Sequence, residues 1–234
     1  MTSLGILVCG AFEQELMQGY GGVYEDFFID ALLEADPDLS FITYAAYKDI
    51  IPTSIIQCDA WLVTGSKHGV YENLPWMLKL QEFLKEAYAA NIPLVGICFG
   101  HQILAQALGG HVEKSDAGWG LGHIEYDLLE PFAGLEGKMG LHAIHQDQVV
   151  KLPPEAGVFA KTDHCPHAGL IYKNKAVSIQ PHPEFSQAFE RDLITFKKGN
   201  VLPNDLADQA ILKLDGATDH NKEVMAFIAD FIKG

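Results

Sequence analysis

The chain has 234 residues, 48% hydrophobic and 20% charged, enough for one large α/β domain or two small ones with a well-filled core. A formal net charge of −15 argues against nucleic-acid binding, which needs a basic stripe. The apolar runs are all shorter than the ~18 residues of a membrane span. The first residues lack the basic start of a signal peptide, and the four cysteines are widely spaced, as reduced thiols of a cytoplasmic protein would be.

The first half alternates strands and helices. Gly5 to Cys9 reads as a buried strand. Residues 10–22 are glycine-rich and acidic, and read equally as a ligand loop at a strand end and as a solvated connection. Tyr24 to Glu34 carries Phe27, Phe28, Ala31 and Leu32 at helical spacing, and Asp36-Pro37 ends it. Strands follow at Leu39 to Ala45 and Ala60 to Val63, then a helix over Pro75 to Ala90. This order implies a largely parallel sheet with helices on both faces.

Leu94, Val95 and Ile97 form the next strand and run into Gly96-Ile-Cys98-Phe-Gly100. Ile103, Leu104, Ala107 and Leu108 then recur at helical spacing, with Gly109-Gly110 to close the helix. Strand, tight turn and helix around a G-x-C-x-G make a nucleophile elbow with Cys98 at its tip. The flanking glycines leave room for a strained turn and for close approach by a substrate. Cys98 then stands at the positive end of the helix dipole, a setting that suits a nucleophilic sulfur. Thr64-Gly65-Ser66 ends the preceding strand on the same sheet edge. Backbone N–H groups of Gly65 or Ser66, with that of Phe99, are placed to face the oxygen of a tetrahedral intermediate.

The second half changes character. Runs at His123 to Leu128, Gln148 to Val150, Val158 to Ala160 and Gly169 to Tyr172 suggest antiparallel strands laid onto the sheet. Lys175 to Ile179 is a further buried strand, opening into Gln180-Pro-His182-Pro-Glu184. The two prolines hold His182 in extended backbone. Residues two apart then point the same way, so Glu184 can orient the His182 imidazole. Cys98, His182 and Glu184 thus supply a nucleophile, a general base and its orienter. His142, His145, His164 and His167 invite a metal, but no H-E-x-x-H or paired C-x-x-C supports one, so no metal is expected. The loop at 163–167 is placed beside the pocket, since it precedes a strand.

Gly96-Ile-Cys-Phe-Gly-His-Gln102 with Gln180-Pro-His-Pro-Glu184 resembles the class I, triad-type glutamine amidotransferases. The nearest branch is the stand-alone group similar to the amidotransferase domain of GMP synthase, which includes γ-glutamyl peptidases. Val63 to Tyr71 and His145 to Val149 also match, and the resemblance covers about residues 4–196 of a single domain spanning 1–234. It implies a flavodoxin-like three-layer α/β sandwich, with a mostly parallel central sheet and a small added antiparallel sheet. By position, Cys98 matches the nucleophile, His182 the base, and Glu184 the third member of the triad. The oxyanion hole falls on Gly65 or Ser66 with Phe99, and Gln102, His145 and Asp147 match the substrate side. No cofactor is implied.

The sequence departs from the family where many members carry a second glycine. Ser66 stands there, and Lys67-His68 after it are expected beside the leaving group. Two amphipathic helices within about residues 204–233 read as caps rather than as part of a synthase domain, so a stand-alone domain is expected. Three functions stay open: a hydrolase of a small-molecule γ-glutamyl amide, a glutaminase subunit feeding ammonia to a separate synthase, and an idle binding or regulatory protein on the same fold.

Overall fold

A computed structural model describes residues 1–173 and 175–234. The strands are β1 (Ser3–Leu7), β2 (Ser40–Tyr44), β3 (Ala60–Val63), β4 (Leu94–Ile97), β5 (His111–Lys114), β6 (Gly120–Leu128), β7 (Lys138–His145), β8 (Asp147–Lys151), β9 (Ala156–Lys161), β10 (Gly169–Tyr172) and β11 (Ala176–Ile179). The helices are α1 (Gln14–Met17), α2 (Tyr24–Ala35), α3 (Pro75–Ala89), α4 (Phe99–Ala107), α5 (Gln187–Lys197), α6 (Asn204–Leu214) and α7 (Asn221–Phe231).

The main sheet has nine strands in the order β2-β1-β3-β4-β11-β10-β9-β6-β7. The first five of that order pair parallel. From β11 onward each pair is antiparallel. The antiparallel runs expected to lie upon the sheet therefore mostly extend it, because β10 pairs along β11 and carries the ladder onward. The separate small antiparallel sheet is β5 with β8.

Alternation along the buried strands splits the core into two layers. Ile6, Leu62, Val95, Ile97 and Val177 point to one face, under Phe28 and Leu32 of α2, Phe189 of α5 and Val224 and Ile228 of α7. Leu7, Trp61, Val63 and Leu94 point to the other, under Leu80 and Leu84 of α3 and Ile103 and Leu104 of α4. α6 packs on β6 in a third, smaller cluster with Leu121, Ile194 and Leu202. The two expected C-terminal helices are α6 and α7. No helix among the described residues is long and apolar enough to cross a membrane.

Candidate active site

The carboxyl ends of β1, β3, β4 and β11 share one edge, and the candidate residues follow directly from them. Cys98 sits between β4 and α4 with φ 54° and ψ −106°. A positive φ is strained for a residue with a Cβ, and the neighbouring structure holds it there. The Cys98 N–H donates to the Ile179 carbonyl at 2.9 Å, and the Gln102 N–H donates to the Cys98 carbonyl at 3.1 Å.

The flanking glycines are required by packing. A Cβ on Gly100 would lie 2.1 Å from the Val63 carbonyl oxygen, and one on Gly96 would lie 2.6 Å from the Gly100 carbonyl oxygen. Their absence lets the first turn of α4 close against β3 and β4. That turn leaves N–H groups without intrahelical acceptors beside the Cys98 sulfur, that of Phe99 among them.

His182 follows β11 and is braced from the opposite side, its N–H donating to the His142 carbonyl of β7 at 2.8 Å. Its ring stacks on Phe185 with centroids 4.1 Å apart and an interplanar angle of 6°. Its Nδ1 lies 2.7 Å from Glu184 Oε1, so the other nitrogen is left for Cys98. Burial works against the imidazolium, but the Glu184 carboxylate and Cys98 outweigh it and hold His182 well above its ordinary value.

A residue that the motifs do not reveal completes this set. The Tyr24 hydroxyl donates to the same Glu184 Oε1 at 2.9 Å and accepts the Gly65 N–H at 3.2 Å. Burial first, then the Glu184 carboxylate and Cys98, push the Tyr24 phenol well above its usual range, so it stays a donor. The Gly65 N–H is thereby committed to Tyr24. Of the two residues expected to face an oxyanion from this loop, Ser66 remains.

The opposite wall holds Gln102, whose Nε2 donates to the Asp147 carbonyl at 2.9 Å and to Gln180 Oε1 at 3.1 Å. The Tyr71 hydroxyl donates to Asp147 Oδ1 at 3.1 Å. Half-buried, Asp147 has its carboxyl raised, chiefly by burial. His145 is fully enclosed, and burial with His164 and His182 nearby pulls its pKa down to about 3. It is therefore a neutral ring at the chamber wall.

Cys98, His182, Gln102, Asp147, His145, Gly65 and Ser66 all line one chamber of about 480 Å³. Lys67 and His68 line it too, as do Gly10 to Glu13, the first four residues of the 10–22 stretch. Residues 163–167 do not line it: His164 packs near His145 with centroids 6.2 Å apart, and His167 Nδ1 bonds the Val149 carbonyl at 2.8 Å. Among the described residues, no group of three or more His, Cys, Asp or Glu is arranged to hold a metal ion.

Residues 28–200 match the protein-family model for glutamine amidotransferase class-I. The chain belongs to that family. Within it, the Saccharomyces cerevisiae protein YLR126C is 31% identical over 64% of this chain and 63% of its own. Gamma-glutamyl peptidase 5 of Arabidopsis thaliana is 28% identical over 75% of this chain and 74% of its own. GMP synthase of Clostridium novyi is 30% identical over 74% of this chain but only 34% of its own length. The match to YLR126C thus leaves more than a third of that relative unaligned. A crystal structure of a glutamine amidotransferase from Thermotoga maritima superposes over the whole of both chains with a TM-score of 0.73 at 19% identity, a likeness of fold.

Proposed function

We propose that this amidotransferase-family protein hydrolyses a γ-glutamyl amide through a thioester on Cys98, releasing glutamate and an amine. The observation that carries this reading is the hydrogen-bonded chain from Tyr24 through Glu184 to His182, which shares the wall of one chamber with Cys98.

In this mechanism the Cys98 sulfur attacks the γ-carbonyl carbon, and the carbonyl oxygen takes up negative charge against the Ser66 and Phe99 N–H groups. His182, held in one tautomer by Glu184, hands its proton to the amide nitrogen as the C–N bond breaks. The free amine leaves and the glutamyl group stays on sulfur. His182 then takes a proton from water, the hydroxide attacks the thioester, and glutamate departs with Cys98 restored. Gln102, Asp147 and Tyr71 offer amide, carboxylate and hydroxyl groups to the α-amino acid end.

The similarity to GMP synthase favours one second reading, a glutaminase that passes ammonia to a synthase partner. Glutamate release from glutamine and γ-glutamyl peptides by the protein alone, abolished in Cys98→Ala, supports the stand-alone hydrolase. Silence alone, with glutamine hydrolysis appearing once a synthase is added, supports the second reading and refutes the first.

A further inference from the structure

We propose that the part of the chamber beyond His182 is a subsite for a leaving amine with a bulky apolar body, so that the substrate is a γ-glutamyl conjugate of such an amine rather than glutamine. The inference rests on the hydrolase reading above and adds the class of the group released.

Proton chemistry decides which part of the chamber receives the amine. The group that protonates the departing nitrogen must adjoin it, and that group is His182. The glutamyl part is then the other one. There Gln102, Asp147 and Tyr71 are joined by hydrogen bonds, and Lys114 stands opposite Asp147 in the β5–β8 register. Those are groups for an amino acid's two charges.

The walls on the His182 side have a different chemistry. The His182 ring lies on Phe185, and Phe185 meets Phe12 at 5.9 Å. Phe12, Leu193 and Val201 line the chamber, with Trp119 and Ile144 at the ends of β6 and β7. Trp119 and Ile144 pack on the same cluster as Ile194 and Leu202, so this wall runs continuously into α5 and the loop after it. Lys197 of α5 also reaches the chamber, but Glu13 lies 3.9 Å away and matches its charge. Lys67 and His68, expected beside the leaving group, belong to the Ser66 loop, where His68 Nδ1 meets Glu72 at 3.0 Å, so apolar contact sets the preference of the Phe185 wall itself.

Ammonia has no surface to place against these side chains. Val201 is 49% exposed at the rim, an apolar side chain that a bound apolar group would take out of water. The volume agrees: about 480 Å³ lies within the range of roughly 300–1,000 Å³ that encloses drug-sized ligands, and glutamine alone leaves much of it to water.

The test is glutamate release from glutamine, γ-glutamylglycine, γ-glutamylleucine and γ-glutamylphenylalanine, by the unaltered protein and by Val201→Asp and Trp119→Ala. A single methylene in an apolar pocket commands about tenfold or more, so kcat/KM for the leucine and phenylalanine conjugates is expected to exceed that for glycine and glutamine by at least about tenfold. The phenylalanine-to-glycine ratio is expected to fall several-fold in both variants. Val201→Asp alters an exposed side chain and guards against a folding failure in Trp119→Ala. Equal turnover of all four, a preference for glutamine, or a ratio unmoved in Val201→Asp overturns the subsite and leaves the hydrolase standing. Release from none of the four overturns the hydrolase reading, and the subsite with it.

Discussion

Tyr24→Phe removes one oxygen from the candidate site and leaves the ring's packing in place. That oxygen makes two bonds at once, to Glu184 Oε1 at 2.9 Å and from the Gly65 N–H at 3.2 Å. A hydrogen bond to a charged group contributes about 1.5–3 kcal/mol, and a buried donor left without a partner costs about 1–3 kcal/mol. If Tyr24 only supported the fold, these losses would appear in Tm and kcat would hold. Because the hydroxyl joins the carboxylate that orients His182 to the loop that carries Ser66, about 2–3 kcal/mol is expected to be lost from the transition state, roughly a hundredfold in kcat. KM should move little, since Tyr24 is not among the proposed glutamyl contacts. The pH profile supplies a second readout. Glu184 already raises the His182 pKa, and without the tyrosine donor its charge falls more fully on the imidazolium. The pH at which His182 loses its proton should therefore rise further. Stopped assays of glutamate release across pH, alongside thermal melts, measure all three quantities. A kcat within about twofold of the unaltered protein, with an unmoved pH profile and a lowered Tm, would refute this positioning role.

Three further outcomes are expected. Gly100→Ala places a Cβ 2.1 Å from the Val63 carbonyl oxygen, so α4 must lift from β3; a loss of about 1–3 kcal/mol in denaturant melts and of most activity is expected. Gln102→Leu removes two hydrogen bonds donated by the side-chain amide, to Asp147 and Gln180, at the proposed glutamyl end, and should raise KM by about tenfold, roughly 1.4 kcal/mol of binding, with kcat nearly held in initial-rate kinetics. Glu190 lies fully buried with no side-chain partner for its carboxylate among the described residues, and burial pushes its pKa up to about 8. Its folded value exceeds the unfolded one, so it favours the fold below about pH 4.5 and weakens it progressively as pH rises toward 8. Glu190→Gln should thus gain Tm over the unaltered protein across that window, toward an upper bound of about 5 kcal/mol at about 1.4 kcal/mol per pH unit. A Tm difference that does not grow with pH would contradict it.

The parallel half of the fold was legible because its strands are short and mostly apolar, and β1, β3 and β4 lead to helices of clear period. β3 has the bounds read from sequence, and α2 begins at the expected residue. β7 was not legible: seven of its eight residues are wholly or partly buried, so polar alternation is lost, and its histidines draw attention as chemistry rather than as core. β5 is nearly all exposed and gains its structure only by pairing with β8. α5 starts straight after the His182 segment, capped by the Ser186 side chain, in a stretch where no helix was expected. The candidate site divides in the same way. Cys98, His182 and Glu184 announce themselves through local glycine and proline spacing. Tyr24 does not, because its partner Glu184 lies 160 residues away, and its bond from the Gly65 N–H is equally invisible to local spacing.

The bond from the His182 N–H to His142 has a consequence for how the protein loses activity. β7 is the last strand of the main sheet, yet it braces the loop that leaves the central strand β11. An edge hairpin opens more readily than a central ladder. Fraying of β6 and β7 would release the His182 backbone while β1, β3 and β4 stayed paired. Amide hydrogen exchange at His182 should then follow that of β7 rather than that of β11, and heat should silence the protein some degrees before it melts.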